Sequence, residues 1–144
     1  MEDTFNMEDT PNQKRKLKRI PLSLTARKLL RALLRHQAKN RFVFRQVYRP
    51  ERILKRLTTY GKIRTAAGVS APPIKLGPYL GEIARFCMAN HLPPLNALVV
   101  NGKSMTPGGA YEGTDWERDV FAALICRYPV AKELMPYTKA RKPV

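Results

Sequence analysis

The stretch "TTYGKIRTAAGVSAPPIKLGPYLGEIARFCMANHLPPLNALVVNG", Thr58 to Gly102, decides how the rest of the chain is read. Tyr60 to Ala67 reads as a short helix, stopped by Gly68 and by Pro72-Pro73. Pro78 stands where a second helix begins, because a fixed φ and a missing N–H cost nothing in the first turn. Leu80, Ile83, Ala84 and Cys87 then recur at helical spacing as far as Asn90 and supply that helix with a buried face. "LNALVVN" is an apolar, β-branched run ending in Asn101-Gly102, so a strand is expected to turn back there as a hairpin through Lys103 to Met105. "TPGGAYEG" follows as loop.

Upstream, Ser23 to Gln37 carries the clearest helical period in the chain. Ala26, Leu29, Leu30, Leu33 and Leu34 form one face, Arg27, Lys28, Arg31 and Arg35 the other, and Ser23 or Thr25 can cap the start. "RFVFRQVY" alternates Phe42, Phe44 and Tyr48 around Val43 and Val47 as a short strand would, and a helix running into Pro50 is the other reading. Pro50 and Glu51 open a short helix to Leu57, since proline suits the first helical position and an acid suits the positive end of the macrodipole. Asp115 to Arg127 is a closing helix with Val120, Ala123 and Leu124 inward. The expected fold class is α+β and helix-rich, with a winged helix-turn-helix-like middle between a basic N-terminal helix and a C-terminal helix. Residues 1–21 are expected to be a disordered arm ending in a basic run, 22–135 a single globular domain (58–106 its winged-helix-like part) and 136–144 a basic tail.

Charge narrows the function. The chain has 144 residues, 27 Lys and Arg against 11 Asp and Glu, and a formal charge of +16. Its isoelectric point is about 10.4. Asn12 to Arg64 holds 18 of the basic residues and one acid, Glu51. So dense a charge repels itself in a compact state, and a polyanion that releases condensed counterions on binding is the simplest compensation. A membrane surface fits less well, because the most basic segment lacks the Trp and Phe that anchor at an interface. Cys87 and Cys126 lie far apart in the chain without metal-ligand spacing, so neither a disulfide framework nor a zinc site is expected. No apolar run approaches the roughly 18 residues of a membrane helix, and "MEDTFNMEDT" has the wrong charge for a secretory signal. A cytoplasmic or nucleoid-associated protein is expected.

Helix, turn, helix, strand and a Gly-tipped turn is the element order of a winged helix-turn-helix. "TTYGKI" at Thr58 to Ile63, "AAGV" at Ala66 to Val69 and "ALVVNG" at Ala97 to Gly102 resemble the DNA-binding half of alkylguanine DNA alkyltransferases and alkyltransferase-like proteins. That family runs from a Thr-Tyr-Gly-x-Ile helix through a Gly-rich second helix to a Pro-Cys-His-Arg-Val-Val strand and an Asn-Gly turn. The resemblance implies a DNA-binding module and, at first sight, a reactive thiol. Aligning the Val-Val pairs puts Asn96 where the family's Cys stands and Ala97 where its His stands. An acceptor thiolate needs a low-pKa Cys beside a base, and Asn and Ala supply neither. Alkyl transfer is therefore not expected, and no cofactor or metal is implied.

In such a module the second helix would offer DNA Ser70, Lys75, Tyr79 and Arg85, while Lys62 and Arg64 of the first hold phosphates. Base readout favours Arg, Asn or Gln in a groove helix, and this face is thin in them, so limited specificity is expected. Tyr79 reads equally as core. At the turn, Asn-Gly is explained by turn chemistry, and Lys103 is the positive signal. Phosphate affinity would come chiefly from Lys14, Arg15, Lys16, Lys18 and Arg19 and from the helical stripe Arg27, Lys28, Arg31 and Arg35, each neutralised phosphate adding close to one unit to the salt slope.

The expectation is non-catalytic nucleic-acid binding, double-stranded DNA rather than RNA. RNA binding is one alternative. Another is a small basic component or inhibitor docked on a nucleoprotein assembly such as a ribosome, a phage particle or a defence complex, with Trp116, Phe121 and Tyr128 as the protein contact. A metal-dependent nuclease, built from Glu112, Asp115, Glu117, Asp119, His36 and His91, is the weakest reading. Asp115 is better explained as a helix cap and His91 as part of a helix C-terminus.

Overall fold

The computed structural model describes residues 17–42, 50–109, 111–113 and 115–138. The expected arm with Lys14, Arg15 and Lys16, the run 43–49 expected as a strand, and the end of the basic tail lie outside them. In chain order come α1 (Leu24–Asn40), α2 (Pro50–Leu54), β1 (Thr58–Thr59), α3 (Tyr60–Ala67), a 3-10 turn (Pro73–Lys75) and α4 (Gly77–Ala89). A second 3-10 turn (Leu95–Leu98) leads into β2 (Val99–Val100), followed by α5 (Trp116–Ile125), α6 (Ala131–Leu134) and a last 3-10 turn (Met135–Tyr137). The described chain is thus α+β and helix-rich, with a small parallel sheet.

The helix α1 is the axis of the molecule. Every apolar residue of the expected stripe is buried, and so are Ala32 and Gln37, because α1 packs against α3, α4, α5 and α6. Ser23 caps it, its Oγ accepting from Ala26 N at 3.2 Å. The same residue donates through N and Oγ to the Glu82 carboxylate, both at 2.8 Å, which ties the start of α1 to α4. At the other end Gln37 Nε2 donates to the carbonyls of Ala123 (2.9 Å) and Cys126 (2.8 Å). Carbonyls at a helix C-terminus have no intrahelical partner, so this buried amide completes α5 as well as packing α1.

Two helices end in the same way for different reasons. After α3, Gly68 takes φ 68° while its N–H reaches Thr65 O and Val69 N reaches Arg64 O, both at 3.1 Å. A left-handed residue closing a helix with that bond pair is a Schellman motif, and glycine enters it without a Cβ clash. After α4 the motif recurs with His91 at φ 56°, His91 N bonding Met88 O at 3.2 Å and Leu92 N bonding Cys87 O at 2.8 Å. The helix-terminal role expected for His91 is performed by its backbone.

The sheet departs from expectation. Leu95–Leu98 is a 3-10 turn, and the two residues of β2 pair in parallel with β1, Thr58 opposite Val99 and Thr59 opposite Val100. The expected hairpin does not form among the described residues. Instead Asn101 to Thr106 closes on itself: Met105 N and Lys103 N reach Asn101 O (2.8 Å) and Asn101 Oδ1 (2.9 Å), and Asn101 N reaches Thr106 O (2.8 Å). An Asn side chain that satisfies the turn's own N–H groups removes the need for a returning strand, and the Pro-Gly-Gly that follows cannot supply one. No helix among the described residues is long and apolar enough to cross a membrane.

Candidate nucleic-acid interface

Two concave surfaces flank β1 and the start of α3. The first is a cleft of about 690 Å³ between α3, the Pro73–Lys75 turn, α4 and the loop 101–112, lined by Tyr60, Ile74, Asn96, Lys103, Tyr111 and Glu112 among others. The second is a groove of about 490 Å³ between α1, the chain after α2, and α3. Its floor is the buried Ala32, Leu57 and Ile63, and its rim carries exposed Ala66, Arg35, Lys39, Lys55 and Lys62.

The cleft is built around Asn96, which is 4% exposed. Its Nδ2 donates to Glu112 O at 2.8 Å, which fixes which way the amide points, and its Oδ1 has no partner among the described residues. Glu112 in turn receives both bonds of Arg85 Nη1, at 2.7 and 2.8 Å. The carboxylate lies so close over α4 that a Cβ on Gly81 would come within 2.0 Å of Glu112 Oε2, so a side chain there would push this carboxylate aside. Tyr60 Oη accepts from Gly108 N at 2.9 Å and pins the loop to the start of α3. Below it Tyr111 Oη donates to Asp119 Oδ2 at 2.6 Å. Burial, and then this carboxylate, push the Tyr111 phenol far above its ordinary range and hold it as a hydrogen-bond donor.

The groove is set by ties at the end of α1. His36 Nε2 donates to Arg56 O at 2.7 Å, and Arg56 Nη1 donates to Asn40 O at 2.6 Å and Arg41 O at 3.2 Å. The Arg56 guanidinium also lies 4.0 Å from the centre of the Phe42 ring. These bonds use up Arg56 and leave its neighbour Lys55 on the rim with Arg35 and Lys39. Among the described residues no carboxylate pairs with Arg35, Lys39, Lys55 or Lys62.

Of the expected contacts, Arg35 and Lys62 meet in the groove, and Lys103 lines the cleft while Lys75 stands exposed in the turn that forms its other lip. Lys28 and Arg31 are exposed along α1. Lys18 and Arg19 are exposed beside the end of α4, where Asn90 Oδ1 accepts from Lys18 N at 2.5 Å. Arg64 Nε donates to Ala71 O at 2.6 Å and its Nη2 to Ser70 O at 3.2 Å, so the guanidinium shapes the turn after α3. Arg85 is likewise committed to Glu112. Arg27 is half-buried, Ser70 is exposed, and Tyr79 is half-buried against the core. Lys39 and Lys55 were not anticipated. Lys39 continues the i, i+4 series of Arg31 and Arg35 and was legible; Lys55 reaches the site only through the ties at Arg56.

The carboxylates do not gather. Asp119 is fully buried, Asp115 and Glu117 are exposed, and Asp115 sits at the N-cap of α5 without a side-chain cap bond. No three His, Cys, Asp or Glu side chains among the described residues are placed to hold a metal ion. Trp116 Nε1 donates to Ala97 O at 3.0 Å and the Tyr128 hydroxyl to Pro93 O, so both are anchored inside the fold, while Phe121 remains 39% exposed. Compared with models of known families, with curated proteins and with solved structures, the chain matches none.

Proposed function

We propose that the chain binds nucleic acid without catalysing a reaction on it, taking double-stranded DNA mainly through phosphate contacts, with α3, the turn and α4 acting as a winged-helix-like unit. The observation that carries this reading is the set of cations with no carboxylate partner among the described residues on and beside the cleft: Lys103 in its lining and Lys75 exposed in the turn next to it. Cations held together without carboxylates repel one another until an anion with regularly spaced charges neutralises them. Limited base readout follows from α4, whose one Arg, Arg85, is bound to Glu112. The non-catalytic part rests on Asn96, because an amide tied to Glu112 O offers the cleft an acceptor rather than a nucleophile.

The test is fluorescence anisotropy with labelled duplex DNA, single-stranded DNA and structured RNA across a salt series. Wild type is compared with a variant carrying Lys75→Ala, Tyr79→Ala and Lys103→Ala. Duplex binding should be preferred, with a steep salt slope that falls by about two units in the variant, one for each lost cation. Preferential RNA binding, or no binding until a protein partner is supplied, would overturn the reading in favour of a component of a larger assembly.

A further inference from the structure

The cleft and the groove stand back to back. In a strand successive side chains point to opposite faces, and in β1 Thr59 lines the cleft while Thr58 lines the groove. The division continues into α3, whose Tyr60 and Gly61 face the cleft and whose Lys62, Ile63 and Ala66 face the groove. A single helix, about 10 Å across with its side chains, therefore separates two concave surfaces, each with its own cations. A duplex with a persistence length of about 150 base pairs cannot fold back around a wall that thin, so one segment cannot occupy both sides.

The groove is equipped to hold a backbone unaided. Its cations come from three separate parts of the chain, Arg35 and Lys39 from α1, Lys55 from the turn after α2 and Lys62 from α3, so the fold gathers them into one depression. Buried Ala32, Leu57 and Ile63 close the floor and give the long Lys and Arg stems an apolar surface to lie on, which leaves the charged ends at the rim. We propose that this groove is a second phosphate-backbone site and that one molecule of the protein holds two DNA segments, one on each side of β1 and α3. Bridging of this kind rests on the nucleic-acid reading above and adds to it an activity, the joining of duplexes.

The experiment uses the full chain, a biotinylated duplex on beads and a second, fluorescent duplex in solution, with protein mass checked by sedimentation at the same concentration. The groove variant is Lys39→Glu with Lys55→Glu; both side chains are exposed and unbonded among the described residues, and circular dichroism verifies the fold. Wild type should retain the fluorescent duplex on the beads. The groove variant should lose at least tenfold of that retention while still binding one duplex in anisotropy. Wild type that binds a duplex yet retains no second one overturns the bridging site and leaves the binding reading standing. Retention that persists in the groove variant overturns it too, since bridging would then come from chains associating with one another. Wild type that binds no duplex at all removes the reading on which the site depends.

Discussion

At the scale of single residues, His91 shows how a site-like side chain can be explained by its backbone. A histidine in a chain with only two invites a catalytic role, but its φ of 56° marks it as the left-handed residue that ends α4. A residue with a Cβ pays a steric cost there that glycine avoids, partly offset by glycine's greater freedom when unfolded. His91→Gly should therefore raise stability by about 0.5–1 kcal/mol, read as a higher urea midpoint with an unchanged slope. A lower midpoint would mean that the imidazole makes a contact worth more than the strain. Asn96 has the opposite character. Its Oδ1 is buried without a described partner, which costs about 1–3 kcal/mol in an ordinary core. The residue's place in the chain was legible in the sequence. The bond that turns its amide toward Glu112 was not, because it joins two loops that only the packing of α4 brings together.

At the scale of elements, caps and turns carry information that charge alone conceals. Ser23 both caps α1 and holds Glu82, so Ser23→Ala should cost about 1–2 kcal/mol in thermal or denaturant unfolding, the upper part of the range for a cap. A cost of only a few tenths would show that α1 is fastened by its buried face alone. Arg64 makes the complementary case. Read along the sequence it is one more cation in a basic segment, whereas in the fold it clasps the Ser70 and Ala71 carbonyls. Arg64→Ala should lower the unfolding free energy by about 1.5–3 kcal/mol, since hydrogen bonds to charged groups run at that strength, while changing the salt slope of duplex binding by less than one unit. A variant of unaltered stability with a slope lower by a full unit would return Arg64 to the phosphate contacts.

At the scale of the whole molecule, acidity and charge act on stability in predictable directions. Burial pushes the Cys87 thiol from 9.0 to about 12 and lifts the Tyr111 and Tyr128 phenols well above their ordinary 10.0. Each raised group stays protonated in the fold at a pH where the unfolded chain gives up its proton. Their contribution is complete below pH 9 and is lost as pH rises toward the folded values, at about 1.4 kcal/mol per pH unit for each proton. Lysine neutralisation relieves repulsion over the upper part of this range and works the other way, so the comparison of wild type with Cys87→Ala isolates the thiol. Between pH 9 and 12 the variant's unfolding free energy should fall less steeply by up to one proton's worth; parallel curves would show that the thiol ionises freely in the fold.

The sequence by itself determined the charge, the helices with a repeating apolar face, and the ends marked by Ser23 and Gly68. These are local properties: a period of three to four residues, a Ser before a helix, a Gly after one. The tertiary structure alone decided that β2 pairs with β1 in parallel rather than with a returning strand, since a strand of two residues carries no period of its own. It also decided that Lys55 joins Arg35 and Lys39 in one groove, that Arg64 bonds the Ser70 and Ala71 carbonyls and Arg85 bonds Glu112, and that Asp119 is buried and bonded by Tyr111. Each depends on where one element's side chains fall against another's, a distance that spacing along the chain does not encode.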